Sequence, residues 1–210
     1  GSLEKSILAK YGGVTPEAMV ESGLYHISLL EKFDFTDIVL SLKSSDTVRM
    51  YKAYELAAEK CRYPLHLGVT EAGTTEAGIV KSAVGIGSLL LNGVGDTIRV
   101  SLTDDPVKEI HAAKLILRSC GLDEEYVEVV SCPTCGRCSW DSMGLADRVT
   151  EFVRPYKKKA KLAVMGCAVN GPGEAREADF GVAGGVGEGL LFKKGEIIGK
   201  APMNELADRL

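Results

Sequence analysis

The sequence predicts an α/β chain in which parallel βα units are followed by a smaller α+β region, and three observations carry that expectation. Short β-branched runs alternate with amphipathic stretches of helical length over the first two thirds of the chain. One charged residue recurs every 28 positions, at Lys43, Glu71 and Arg99, at or near the C-terminal ends of successive runs. Beyond Cys138 the texture changes to a helix, one apolar strand and glycine-rich hairpin material.

In order along the chain, Thr15 to Phe33 reads as a helix opened by Thr15-Pro16, an N-cap followed by a proline whose missing N–H costs nothing in the first turn. Asp37 to Leu42 reads as a strand and Ser45 to Cys61 as the helix after it. Pro64 to Thr70 and Asp96 to Leu102 are the next strands, each followed by a helix, Thr75 to Asn92 and Pro106 to Cys120. Asp105-Pro106 repeats the N-cap and proline pair, and Gly121 supplies a C-cap. Tyr126 to Ser131 is a fourth strand. Strands joined by helical crossovers imply a parallel sheet, either closed toward a (β/α)8 barrel or open and doubly wound. Asp141 to Tyr156 then reads as a helix, Lys161 to Met165 as a buried strand, and Gly181 to Gly199 as a hairpin with strands at Leu190 to Lys193 and Glu196 to Gly199. A domain boundary is expected at Ser131, giving residues 1–131 and 132–210.

Composition excludes several classes. The 210 residues are 45% hydrophobic with a net charge of -4, so neither a disordered tail nor a basic nucleic-acid binder is expected. No apolar run reaches the length of a membrane span. Six cysteines, three of them in C-x-x-C spacing, suit reduced thiols in the cytoplasm better than a disulfide scaffold. Gly184 to Gly189 carries no dinucleotide signature. Cys61 and Cys120 read as small buried residues, and His26, His66 and His111 have no metal-ligand spacing. Lys157-Lys158-Lys159 reads as a solvated face that an acidic electron carrier could also use.

Two cysteine clusters dominate the second region: Ser131-Cys132-Pro133-Thr134-Cys135-Gly136-Arg137, and Met165-Gly166-Cys167-Ala168-Val169-Asn170-Gly171-Pro172-Gly173-Glu174. A C-x-x-C knuckle puts two thiolates on one turn, and a thiolate ending a later apolar run can join the same metal centre. Asn170-Gly171-Pro172-Gly173 is expected to turn sharply and bring Glu174 back over Cys167. Cys138 offers a fourth sulfur, so spacing leaves zinc and iron–sulfur both open. In the first region, Lys43, Arg99 and Ser101 at strand ends would suit an anionic ligand, because a cation facing into a parallel barrel needs a partner. Arg99 and Ser101, two apart, are expected to share one strand face.

These residues resemble the iron–sulfur signature of the 4-hydroxy-3-methylbut-2-enyl diphosphate synthase family of the methylerythritol phosphate route to isoprenoids. The resemblance extends to G-S-L-E-K at Gly1 to Lys5, P-L-H-L-G-V-T-E-A-G at Pro64 to Gly73 and G-D-T-I-R-V-S-L-T-D-D-P at Gly95 to Pro106. It implies the C-terminal half of a TIM-type (β/α)8 barrel, residues 1–131, followed by a small α+β domain, residues 132–210, that binds a [4Fe-4S] cluster. The implied ligands are Cys132, Cys135, Cys167 and Glu174. Cys138 is a departure, since the family needs no cysteine there. Lys43, Arg99, Ser101 and Asn170 are implied to bind substrate, and Glu71 and Glu174 to take part in catalysis, Glu71 in acid–base work. Carboxylate oxygen is a harder, more exchangeable ligand than thiolate, which makes Glu174 the natural corner for substrate.

The implied activity is reductive ring opening and dehydroxylation of 2-C-methyl-D-erythritol 2,4-cyclodiphosphate to 4-hydroxy-3-methylbut-2-enyl diphosphate. Electrons would come singly from reduced ferredoxin or flavodoxin, and the resemblance further implies a homodimer. Because the family's barrel has strands upstream of the region matched here, the chain is expected to be a fragment with little activity alone. The rival expectation from another class is a zinc-ribbon-like interaction module on an α/β scaffold.

Overall fold

A computed structural model describes residues 3–133 and 135–210; Gly1 and Ser2, which open the G-S-L-E-K motif, and Thr134, inside the knuckle, lie outside it. The chain divides into two compact units, one ending at Asp123 and one beginning at Glu124.

The first unit is a parallel βα array. Helix α1 (Lys5–Tyr11) ends at Gly12 in the left-handed region, and α2 (Pro16–Glu31) starts where the Thr15 side chain accepts from the Ala18 N–H. The expected strand at 37–42 is extended chain tied to its neighbour by parallel bridges, Leu40 to Leu65 and Ser44 to Val69. Helix α3 (Thr47–Lys60) is capped by Asp46. Strand β1 (His66–Gly68) leads to α4 (Thr75–Leu91), and β2 (Thr97–Arg99) leads to α5 (Pro106–Ser119), capped by Asp105. Strands β1 and β2 pair in parallel, His66 opposite Thr97 and Gly68 opposite Arg99. Gly121 has φ 71 just past α5, as its C-cap role requires.

Alternation separates this unit's two strand faces. Leu40, Leu65, Leu67 and Val69 pack with Met50, Ala53, Tyr54, Ile86 and Leu89 in one core under the helices. Fully buried Tyr54 stitches two strands: its hydroxyl donates to the His66 carbonyl at 2.5 Å and accepts the Leu42 N–H at 2.8 Å. Ser101 lies two residues beyond the end of β2, so it continues the chain past the strand instead of sharing its face with Arg99.

The second unit is a five-stranded sheet in the order β3 (Val127–Ser131), β4 (Ala160–Met165), β5 (Phe180–Ala183), β6 (Glu188–Lys193), β7 (Glu196–Pro202). The first three strands are parallel and the last two form an antiparallel hairpin. Strand β3 therefore hydrogen-bonds to β4, and the compact units part between Asp123 and Glu124, not at the expected Ser131. Helix α6 (Ser142–Val153) covers one sheet face, with Leu145, Val149 and Val153 against Val164 and Val182. Ala163, Met165, Ala183 and Phe192 face the other way, onto Ala175 and Ala178 after the short helix α7 (Gly171–Glu174). The hairpin turns on Lys194 (φ 48) and Gly195 (φ 81), a pair of positive φ values that matches the twist of tight hairpins. A last short helix, α8 (Leu206–Arg209), seats Leu206 in the α6-side core.

Candidate metal centre and anion site

The two cysteine motifs leave the C-terminal ends of adjacent parallel strands. Ser131 pairs with Val164, so Cys132 follows β3 where Gly166 and Cys167 follow β4. The Gly166 N–H donates to the Cys132 Sγ at 3.1 Å, joining the motifs directly. A Cβ added at Gly166 would lie 3.0 Å from the Cys138 Sγ and 3.4 Å from the Cys132 Sγ, so the missing side chain is what lets these sulfurs close on the strand end. The Cys138 Sγ lies 3.3 Å from both the Trp140 carbonyl and the Ser142 Oγ.

Exposed Cys135 carries the other knuckle sulfur. Hydrogen bonds from the Arg137 backbone and side chain, with the charge of its guanidinium, hold the thiol below its ordinary range, which favours the metal-binding thiolate. All six cysteines are unpaired thiols.

The segment after Cys167 runs forward in helical turns. Gly171 N–H donates to the Cys167 carbonyl at 3.0 Å and Glu174 N–H to the Asn170 carbonyl at 2.9 Å. The expected sharp reversal over Cys167 is absent because Pro172 sits in the first turn of α7, where its fixed φ starts a helix as readily as a turn. Asn170 Nδ2 donates to Glu174 Oε1 at 3.3 Å, so these two site residues meet. Among the described residues, no three His, Cys, Asp or Glu side chains already converge on one metal position. The donor set still fits a thiolate-bound cluster: unpaired sulfurs end neighbouring strands, one already accepts a backbone N–H, and glycine leaves the approach open.

In the first unit, the Lys43 stem crosses Gly68, whose strand partner is Arg99. A Cβ at Gly68 would lie 3.3 Å from the Lys43 Cδ and Cε and 3.1 Å from the Arg99 carbonyl. Burial, then the Arg99 charge, pushes the Lys43 ammonium below its ordinary pKa. Lys43 Nζ donates to Ser41 Oγ at 2.5 Å, and Ser41 in turn to the His66 carbonyl at 3.1 Å. His66 shares its strand face with Gly68 and its Nδ1 lies 2.8 Å from the Thr97 Oγ1. Burial, then Lys43 and Arg99, pushes the His66 imidazole down as well. Two cations in electrostatic contact, with the Ser41 hydroxyl bonded to one of them, have the chemistry that would suit an anion. Glu71 sits just beyond β1 with φ 51, exposed.

Sequence reasoning missed His66 and Trp140. For His66 a signal existed, since it is two residues before Gly68 on an alternating strand. Trp140 Nε1 donates to the Gly166 carbonyl at 2.9 Å, a contact across 26 residues that no local pattern announces. Lys157-Lys158-Lys159 precedes β4, whose opposite end leads to Cys167; six strand residues put about 20 Å between them. Lys159 is also paired with Glu124 at 2.7 Å. Among the described residues no helix is long and apolar enough to cross a membrane.

Comparison with known proteins meets this geometry. Residues 1–114 match the GcpE TIM-barrel domain and residues 128–210 the GcpE protein C-terminal domain. The chain is 60% identical over its whole length to the 4-hydroxy-3-methylbut-2-en-1-yl diphosphate synthase (flavodoxin) of Fusobacterium nucleatum, covering 59% of that protein. To the protein of the same name in Clostridium perfringens it is 57% identical over its whole length, covering 60%. To that of Caldanaerobacter subterraneus it is 61% identical over 197 residues, covering 56%. The chain thus spans about three fifths of the length of these relatives. With both its units matched over most of their length, the chain belongs to the GcpE family.

Proposed function

We propose that this chain serves the formation of 4-hydroxy-3-methylbut-2-enyl diphosphate, the product in its relatives' name, by reductive opening of 2-C-methyl-D-erythritol 2,4-cyclodiphosphate, with one hydroxyl oxygen leaving as water. The βα units are read as the C-terminal half of a TIM-type barrel that holds substrate. The second unit is read as the cluster domain, with Cys132, Cys135, Cys167 and Glu174 holding a [4Fe-4S] cluster. When bound, that cluster supplies electrons one at a time.

The observation that supports the substrate reading is that the Lys43 ammonium, its stem across Gly68, lies within reach of the Arg99 charge. Two neighbouring cations repel one another until an anion lies between them, so a diphosphate gains from both. Ser101, two residues past β2, would add a hydroxyl, and Glu71, just past β1, would move protons. Asn170 orients the Glu174 carboxylate through its side-chain amide. Reduced flavodoxin or ferredoxin is the electron donor, in keeping with the relatives' name, and a homodimer in the cytoplasm is the working form.

Binding tests the reading. Each charge-assisted contact contributes about 1.5–3 kcal/mol, so Lys43→Ala or Arg99→Ala should weaken binding of the cyclic diphosphate at least tenfold by calorimetry. Unaltered affinity in both variants would remove the site assignment.

A further inference from the structure

Trp140 is the only tryptophan of the chain, and it stands where both cysteine motifs meet. Its indole N–H donates to the Gly166 carbonyl at 2.9 Å. Its ring lies against Gly184, where an added Cβ would coincide with the indole. The two peptides flanking Gly166 are therefore anchored separately. In the first, the Met165 carbonyl accepts the Gly184 N–H at 3.0 Å while the Gly166 N–H donates to the Cys132 Sγ at 3.1 Å. In the second, the Gly166 carbonyl is held by Trp140 and the next Cα is that of Cys167. Glycine has the loosest backbone of any residue, so without both anchors Cys167 would be held only from its far side, by the Gly171 N–H on its carbonyl. The tryptophan is itself held, because its own carbonyl lies 3.3 Å from the Cys138 Sγ and accepts the Ser142 N–H at 2.9 Å.

We propose that Trp140, seated on Gly184, is a positioning residue for the cluster thiolates: its indole N–H fixes the Gly166–Cys167 peptide and thereby sets Cys167 against Cys132, keeping the Cys132 sulfur within reach of the Gly166 N–H. This rests on the reading of Cys132 and Cys167 as cluster ligands. It assigns Cys138 a place as well, as a thiol that braces the tryptophan instead of binding iron. N–H donors to cluster sulfurs favour the more negative, reduced form, so the clamp also acts on the reduction potential.

The test replaces the indole N–H without its shape. Because the chain has one tryptophan, growth on benzothienylalanine, which carries sulfur in place of the N–H, alters this position alone. Trp140→Phe is the genetic counterpart and Gly184→Ala displaces the ring while keeping its N–H. The whole chain is reconstituted anaerobically with iron and sulfide, and iron release to a chelator and the midpoint potential are measured. All three changes should speed release about tenfold or more, the scale of lost outer-shell support, and the benzothienyl protein should show a more negative potential than the parent. Loss of packing alone would speed release in Trp140→Phe and leave the benzothienyl protein like the parent, which overturns the proposal. A parent chain that takes up no cluster overturns this reading and the cluster assignment together, whereas a loaded parent matched by the benzothienyl protein in rate and potential overturns this reading only.

Discussion

Replacing Gly166 by Ala inserts one carbon at the point where the cysteine motifs meet. That Cβ would lie 3.0 Å from the Cys138 Sγ, 3.1 Å from the Cys138 Cβ and 3.4 Å from the Cys132 Sγ. Relaxed contacts between such atoms are about 3.5–4.0 Å, so the Cys138 atoms must retreat by about half an ångström. Overpacking on this scale costs about 1–3 kcal/mol. Gly166 is not among the positive-φ glycines, so alanine meets no backbone strain there and regains about 0.4–1 kcal/mol by restricting the unfolded chain. Taken at the middle of both ranges, the net loss should be about 1.3 kcal/mol. Since the closest contact is the Cys138 sulfur, Gly166→Ala combined with Cys138→Ala should be less destabilised than the sum of the single changes, by at least about 0.5 kcal/mol. Urea unfolding of the reduced, cluster-free chain, followed by the emission of its one tryptophan in the second unit, reads both numbers. With a slope of about 1–3 kcal/mol per molar urea, the single change should move the midpoint by a few tenths of a molar to 1 M. Strict additivity of the two changes would refute the packing argument, as would a Gly166→Ala midpoint equal to the parent's.

Other outcomes follow from the same geometry. Alanine at Cys132, Cys135 or Cys167 should abolish cluster assembly in iron and sulfide analysis, while Cys138→Ala retains it; the reverse pattern overturns the ligand assignment. Glu174→Ala should give a cluster that assembles but is lost faster to a chelator, and Glu174→Cys one lost more slowly, because thiolate yields its place reluctantly. Tyr54→Phe should destabilise the first unit by about 1–3 kcal/mol, since it strands the Leu42 N–H in a buried place and leaves the His66 carbonyl with Ser41 as its donor; an unchanged unfolding midpoint contradicts this. His66 should titrate below 6.5 by NMR, because burial, Lys43 and Arg99 all disfavour its charge. A depressed folded value means the unfolded chain binds the proton first, so this contribution to stability is present above pH 6.5 and is lost as pH falls through the folded value. His66→Gln should flatten that acid limb.

Much of this was legible in the sequence, for local reasons. The βα units followed from periodicity, and Thr15-Pro16 and Asp105-Pro106 mark helix starts by chemistry confined to one turn. Spacing put Arg99 on its strand and Lys43 after one; Arg99 ends β2, whereas Lys43 lies between the isolated bridges at Leu40 and Ser44. What failed was pairing at a distance. Tyr126 to Ser131 reads as a strand in any context, but only its hydrogen bonds to Ala160–Met165 say which sheet it joins. Asn170 to Gly173 has turn composition, yet the close fit of Gly171 against Met165 and Ala183 favours the short helix observed. Trp140 on Gly184 is a contact between a side chain and an absence, and an absence carries no periodic signal.

Anaerobically purified protein, analysed for iron, acid-labile sulfide and zinc, tests the central claim most directly. The thiols at the ends of β3 and β4 are expected to yield brown protein with about four irons and four sulfides per chain and no zinc. Colourless protein carrying one zinc per chain would instead make the second unit a structural zinc module, and would contradict the account.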